Sequence, residues 1–308
     1  MAKKVFDEGD FLSFYGLTEH PFKLTPNTGL YYGLPTHEEA LSLLAMALEQ
    51  GDGFIKVTGE VGTGKTMVLR LFISNLPSKY ELVYIPNPIL NPGELKISIA
   101  RELDLNIDDC NNCSLNDDIN RKLIELNSKG KQVVLVIDEA QAIPNDTLEA
   151  LRLLGNLETE QEKLLHIVLF GQPELDEKLS LNIFRQLRQR ISFSCKLMPL
   201  DFDQTSAYLN YRLRASGYKG SDLFTNGLVK KIYKATNGIP RMINIIASKC
   251  LMLAYSEGSY KISNENVKEA IKDTDDVIEN SSNTWVTLFL IFLIILMLGI
   301  AVFVLFQE

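Results

Sequence analysis

Gly59, Glu60, Val61, Gly62, Thr63, Gly64, Lys65 and Thr66 spell G-x-x-x-x-G-K-T directly after an apolar, strand-like run at 54–58. Each residue type has a task in that order. The glycines let backbone N–H groups turn inward around the β- and γ-phosphates of a nucleotide. A helix starting at this point aims its positive end at the same oxygens. Lys65 brings a point charge to those phosphates, and the Thr66 hydroxyl is placed to ligate Mg²⁺. The chemistry is the binding of a nucleoside triphosphate, and the spacing predicts strand, loop and then a helix over 67–74.

A second constellation lies 73 residues beyond Lys65, where the run 131–137, read as an apolar strand, ends in Asp138 and Glu139. Unbroken apolarity marks a central parallel strand covered on both faces. Acids at its C-terminal end fall on the edge where open α/β sheets bind ligands. Asp138 fits a Mg²⁺ carboxylate and Glu139 the base that polarises an attacking water. A further apolar strand, 166–170, ends at Gly171-Gln172-Pro173. Gln172 is expected between the first strand and the acidic one, either orienting water at the γ-phosphate or serving as a turn residue. Arg185, Arg188 and Arg190 crowd into six residues before the strand 192–196. Either they solvate a helix face, or one of them, with Arg190 the best placed, reaches across a subunit interface. Arg241 follows Gly238-Ile-Pro240 at a helix start, where a cation opposes the helix dipole. That conflict points to a bound phosphate.

These residues need a scaffold, and the composition supplies one. With 46% hydrophobic and 23% charged residues in 308, the chain has material for one large or two modest domains. A net charge of -8 argues against a broad polyanion-binding surface, so nucleic acid is not an expected partner. The four cysteines are few and irregularly spaced for a disulfide scaffold. Cys110 and Cys113 have metal-ligand spacing but lack a second pair, and they sit in the polar stretch 106–120, read as a surface loop between helices. His20, His37 and His166 propose no triad. Thr36 and Glu39 read as a capping box for a helix over 38–50. After 197, four short amphipathic segments up to 274, the first with Asp203 as its cap, read as a small helical lid. Residues 275–284 are a polar linker.

The last segment is of another kind. Residues 286–306 carry no charge, and at about 1.5 Å per residue they match a hydrocarbon core of about 30 Å. A single C-terminal transmembrane helix is expected, with Trp285 at the interface. Acids follow the two N-terminal lysines where an export signal needs its apolar stretch. The nucleotide site is therefore expected in the cytoplasm, on a protein anchored in the inner membrane.

Taken together, the phosphate loop, Ile137-Asp138-Glu139, Gln172, Arg190 and Gly238-Ile-Pro-Arg241 resemble the Walker A, Walker B, sensor 1, arginine-finger and sensor 2 elements of an AAA+ ATPase. The resemblance implies a five-stranded parallel sheet in the order 5-1-4-3-2 within residues 1–196, a helical lid over 197–274, ATP with Mg²⁺ as ligands, and a homo-oligomer. More narrowly, Phe14-Tyr-Gly-Leu17, Pro21-Phe22, Leu24-Thr-Pro26 and Phe170-Gly-Gln-Pro-Glu-Leu175 are similar to the ExeA/GspA secretion ATPases, especially to members tied to MSHA type IV pilus assembly. This implies ATP hydrolysis in support of a pilus or type II-like secretion machine, with envelope components as partners. Longer members carry a peptidoglycan-binding domain beyond the membrane helix, and the present sequence stops two residues past that helix, so peptidoglycan contact is not expected. A nucleotide-gated scaffold with slow hydrolysis is the alternative, and a DNA-binding AAA+ protein the third.

Overall fold

The computed structural model describes residues 8–25, 28–106, 112–159 and 162–274. The chain opens with α1 (Glu8–Tyr15) and α2 (Pro35–Glu49), then alternates: β1 (Phe54–Gly59), α3 (Lys65–Ser74), β2 (Tyr80–Ile85), α4 (Pro92–Glu102), α5 (Asn112–Ser128), β3 (Gln132–Ile137), α6 (Asn145–Leu154), β4 (Leu165–Gly171), α7 (Glu174–Ser180), α8 (Arg185–Arg190) and β5 (Ile191–Leu197). Four helices complete it: α9 (Phe202–Ala215), α10 (Asn226–Thr236), α11 (Pro240–Ser256) and α12 (Asn264–Lys272).

The sheet runs β2-β3-β4-β1-β5, which is 5-1-4-3-2 read from the other edge, and every ladder is parallel. Side chains alternate between its faces. On β3, Val133, Leu135 and Ile137 enter a core with Ile99, Leu123 and Leu151 of α4, α5 and α6. Val134 and Val136 enter a second core with Leu44, Leu69 and Phe72 of α2 and α3. Two buried faces explain why β3 and β4 read as unbroken apolar runs. The C-terminal ends of β1, β3 and β4 share one edge, and that edge carries the site.

A third core holds the lid together, with Leu209, Ile232, Ile243, Ala247 and Val267 at its centre. Phe11, Tyr15, Leu17, Phe22 and Leu34 from the start of the chain belong to the same cluster. The Tyr15 hydroxyl donates to the Leu251 carbonyl at 3.0 Å, and Arg212 Nε to the Pro21 carbonyl at 2.6 Å. The N-terminal segment, grouped with the α/β core from sequence, thus packs against the lid.

Three local expectations need correcting. Asp201, not Asp203, caps α9: its carboxylate accepts from Gln204 N while Gln204 reaches back to Asp201 N. Asp203 instead adds its charge to the first turn. α2 starts at Pro35 after Leu34 without a side-chain cap, because the fixed φ of proline suits the first helical position; Thr36 and Glu39 form no capping box. The stretch 106–120 is not all loop, since α5 begins at Asn112 and buries Leu115, Ile119, Leu123 and Leu126 at helical spacing. Cys110 lies outside the described residues, as do the linker 275–284 and the apolar segment 286–306. Among the described residues no helix is long and apolar enough to cross a membrane.

Candidate active site at the phosphate loop

The loop between β1 and α3 depends on two left-handed glycines, Gly62 at φ 84° and Gly64 at φ 102°. Neither position has room for a side chain. A Cβ on Gly62 would stand 2.7 Å from Arg241 Cβ, and one on Gly64 would stand 2.6 Å from His37 Cε1. Thr63 tightens the turn by donating to the Glu60 carbonyl at 2.8 Å. Helix α3 begins at Lys65, two residues earlier than the pattern predicts. The N–H groups of Met67 and Val68 bond to the Gly64 carbonyl at 2.9 and 3.0 Å, so those of Lys65 and Thr66, at the very start of the helix, are the ones left to meet a phosphate.

Lys65 is buried, and its ammonium donates to the Gly59 and Glu60 carbonyls at 2.7 and 3.1 Å. Burial pulls its pKa below the usual lysine value, opposed by the charges of Glu139, Asp138, Glu60 and Glu174. Thr66 lines the same cleft.

Asp138 and Glu139 leave β3 at this edge. Asp138 is buried, and Oδ1 accepts from Glu139 N at 2.9 Å. Burial raises its carboxyl pKa; the backbone N–H bond and Lys65 oppose that rise, and Glu139 adds to it. Glu139 adopts φ 50°, ψ 39°, a left-handed conformation that costs a non-glycine residue on the order of 1 kcal/mol. The turn points its carboxylate across to β4, where Gln172 Nε2 donates to Oε2 at 3.1 Å. Gln141 Nε2 donates to the same oxygen at 2.5 Å. Burial opposes ionisation of Glu139, but the two amides and Lys65 outweigh it, and the pKa falls below the ordinary value.

Hydroxyl and carboxylate oxygens from Thr66 and Asp138 are the hard donors that Mg²⁺ takes, and two protein ligands suit an ion whose remaining ligands are phosphate and water. Among the described residues no cluster of three His, Cys, Asp or Glu side chains forms a self-sufficient metal site. The donor set therefore fits a Mg²⁺ that arrives with a nucleotide.

The lid supplies the opposite wall. Arg241 stands in the first turn of α11, its backbone N donating to the Gly62 carbonyl at 3.2 Å, and its side chain lines the cleft. The cleft is also lined by Leu24, Leu30, Tyr31, Tyr32, Tyr208 and Pro240, apolar and aromatic groups suited to the flat face of a nucleobase. Arg190 is not in this assembly. Ile191 pairs with Phe54 at the start of β1, so Arg190 sits at the sheet edge opposite the phosphate loop. There its Nη1 donates to the Arg152 carbonyl at 2.8 Å.

The sequence missed two residues. His37 donates through Nε2 to, and stacks near, the loop: Nε2 meets the Thr63 carbonyl at 2.8 Å, and the ring lies parallel to Tyr31 with centroids 6.1 Å apart. No spacing signal ties position 37 to position 63. Gln141, by contrast, stands only two residues past Glu139, and a polar residue in a short turn beside the acids was the available signal.

Residues 48–179 match the AAA domain family. The chain is 38% identical over 276 residues to General secretion pathway protein A of Aeromonas hydrophila, covering 89% of this chain. It spans 50% of that relative's length. Among solved structures, Cdc6p from Pyrobaculum aerophilum superposes with a TM-score of 0.64 at 21% identity, over 86% of this chain and 73% of the other. A Walker-type ATPase of Pyrococcus abyssi gives 0.59 at 19% identity, over 82% and 74%. These likenesses are likenesses of fold. With the parallel sheet, the phosphate loop and the acidic strand end in place, the chain carries an AAA domain and is similar over most of its length to General secretion pathway protein A.

Proposed function

We propose that this chain binds ATP with Mg²⁺ and hydrolyses it to support assembly of a type II-like secretion apparatus or an MSHA-like type IV pilus, anchored in the inner membrane by residues 286–306. The observation that carries the hydrolytic part is Glu139: its carboxylate stands at the edge of the phosphate site, held by the Gln172 amide at 3.1 Å. A carboxylate so placed takes a proton from water as that water attacks the γ-phosphorus, while the bond from that phosphorus to the β,γ-bridging oxygen breaks and ADP leaves with the electron pair. The Gln172 amide orients the water, while Lys65 and Arg241 face the charge that spreads over the γ-phosphate oxygens. Thr66 and Asp138 would hold the Mg²⁺, which would supply positive charge to offset that of the phosphates. Arg190 acts on the site of a neighbouring subunit, since its position at the far sheet edge keeps it from its own. The secretion assignment is supported by similarity to General secretion pathway protein A, of which the chain spans 50%, the pilus assignment by the motif resemblance alone, and the partners are envelope components of such a machine.

The test is ATP turnover by the full chain in detergent beside MgATP affinity measured with a fluorescent analogue. Glu139→Gln keeps the shape and removes the base, so turnover is expected to fall by roughly 10²–10⁴-fold with affinity preserved. Equal turnover in the two proteins overturns the base assignment. A second reading is favoured by the contact of Arg241 N with Gly62, which ties the lid to the phosphate loop. In that reading nucleotide binding closes the lid and recruits a partner, with slow hydrolysis as the reset.

A further inference from the structure

The turn after β3 contains a side chain that none of these roles employs. Gln141 lies in the short 3-10 turn Ala140–Ala142, and both ends of its amide are engaged. Nε2 donates to Glu139 Oε2 at 2.5 Å, and Oε1 accepts the backbone N–H of Gln172 at 2.9 Å. The side chain of Gln172 closes the circuit on the same Glu139 oxygen at 3.1 Å. The amide has one sensible orientation here. Reversed, it would set oxygen against carboxylate and NH₂ against N–H, two repulsions in place of two bonds.

The ring is braced from outside. Lys178 of α7 donates to the Ile143 carbonyl and lies 3.5 Å from that of Gln141. Asp176, on the same helix, is held by Lys56 and by Thr58 Oγ1 of β1. At Gly171 a Cβ would meet Leu175 Cδ2 at 2.9 Å and Gln141 Oε1 at 3.4 Å, so the strand end is shaped to admit the amide. Both amide donors share Oε2, which leaves Oε1 as the Glu139 oxygen without an amide donor among the described residues.

We propose that Gln141 is a positioning residue for hydrolysis: by bridging the Glu139 carboxylate to the backbone of Gln172, it fixes the base and the water-orienting amide as one unit. A glutamate side chain otherwise explores several rotamers, and a displacement of about 1 Å at a reacting group can cost on the order of 10²-fold in rate. The inference rests on the hydrolytic reading above.

Its test uses the full chain and two variants. Gln141→Met keeps the length and removes donor and acceptor; Gln141→Glu keeps an acceptor for Gln172 N–H and sets a second carboxylate against Glu139. Both are expected to lower kcat by about 10–100-fold. MgATP affinity should stay within about twofold and the thermal midpoint should not move, because neither end of the amide touches the phosphate loop. Adding Gln141→Met to Glu139→Gln should slow the enzyme no further, since Gln141 acts through Glu139. Turnover near or above wild type in both single variants overturns the proposal, as does a loss that tracks lowered affinity and a lowered midpoint. Absent turnover in the wild type, with Glu139→Gln identical to it and MgATP still bound, sinks the hydrolytic reading and this inference with it. Should Gln141→Met fail to fold, Gln141→Glu alone decides by the same readings.

Discussion

Two histidines make the residue scale measurable. Burial depresses the pKa of both His37 and His166 below the usual value of 6.5, against their bonds to the carbonyls of Thr63 and Asp52. His37 Nδ1 and His166 Nε2 are buried without a partner. Below pH 6.5 the unfolded chain therefore binds protons that the folded chain refuses, so stability falls as pH falls toward the depressed values. The slope is at most about 1.4 kcal/mol per pH unit for each histidine. Thermal unfolding between about pH 7 and pH 5 should show a falling midpoint, and His37→Asn should flatten that slope; an unchanged slope removes His37 from the account. The same residue marks what was legible. Lys65, Asp138, Glu139 and Gln172 announce themselves because phosphate and water chemistry demands those types at a loop–helix junction and at strand ends. His37 reaches Thr63 only through the packing of α2 on the loop, and no local pattern encodes that contact. Nor does the sequence reveal the left-handed turn of Glu139, although that turn aims its carboxylate at Gln141 and Gln172.

At the scale of elements, hydrophobic pattern decided more than polar signals did. The strands were readable because both faces of β3 and β4 are covered, whereas caps were misplaced wherever two candidate residues competed. Asp201 and Asp203 illustrate the difference. Only Asp201 has the extended backbone, φ −76° and ψ −178°, from which a carboxylate reaches the N–H three residues later, at Gln204. Asp201→Ala should lower the stability of the lid by about 1 kcal/mol, and Asp203→Ala by a few tenths, the value of a charge near a helix start. Denaturant titration of the two variants checks this, and equal losses would contradict the cap. Helix α5 was hidden for a related reason. Its first turn is Asn112-Cys113-Ser114, residue types that favour loops, and its helical identity rests on Leu115, Ile119, Leu123 and Leu126 packing under the sheet.

For the molecule as a whole, the proposed role of Arg190 requires that one chain hold an incomplete site. The phosphate loop, Asp138, Glu139, Gln172 and Arg241 gather at one sheet edge. Arg190 stands at the other, about 16 Å away along a strand if counted from Phe54 to Gly59 at about 3.3 Å per residue. Its bond to the Arg152 carbonyl leaves other guanidinium N–H groups for a partner, since arginine carries five donors. If that partner is the γ-phosphate in a neighbouring subunit, Arg190→Ala removes a contribution of roughly 10³–10⁵ in rate, while its own nucleotide site stays intact. Lys65→Ala has the opposite defect, a disabled loop with a working Arg190. Each variant alone should be nearly inactive. Mixed in equal amounts and allowed to exchange, about one quarter of ordered neighbour pairs join an intact loop to an intact arginine. Turnover should then recover toward about a quarter of wild type, at fixed total protein. No recovery, with exchange of subunits demonstrated, would assign Arg190 to holding α6 through Arg152 and leave the site to be completed within its own chain.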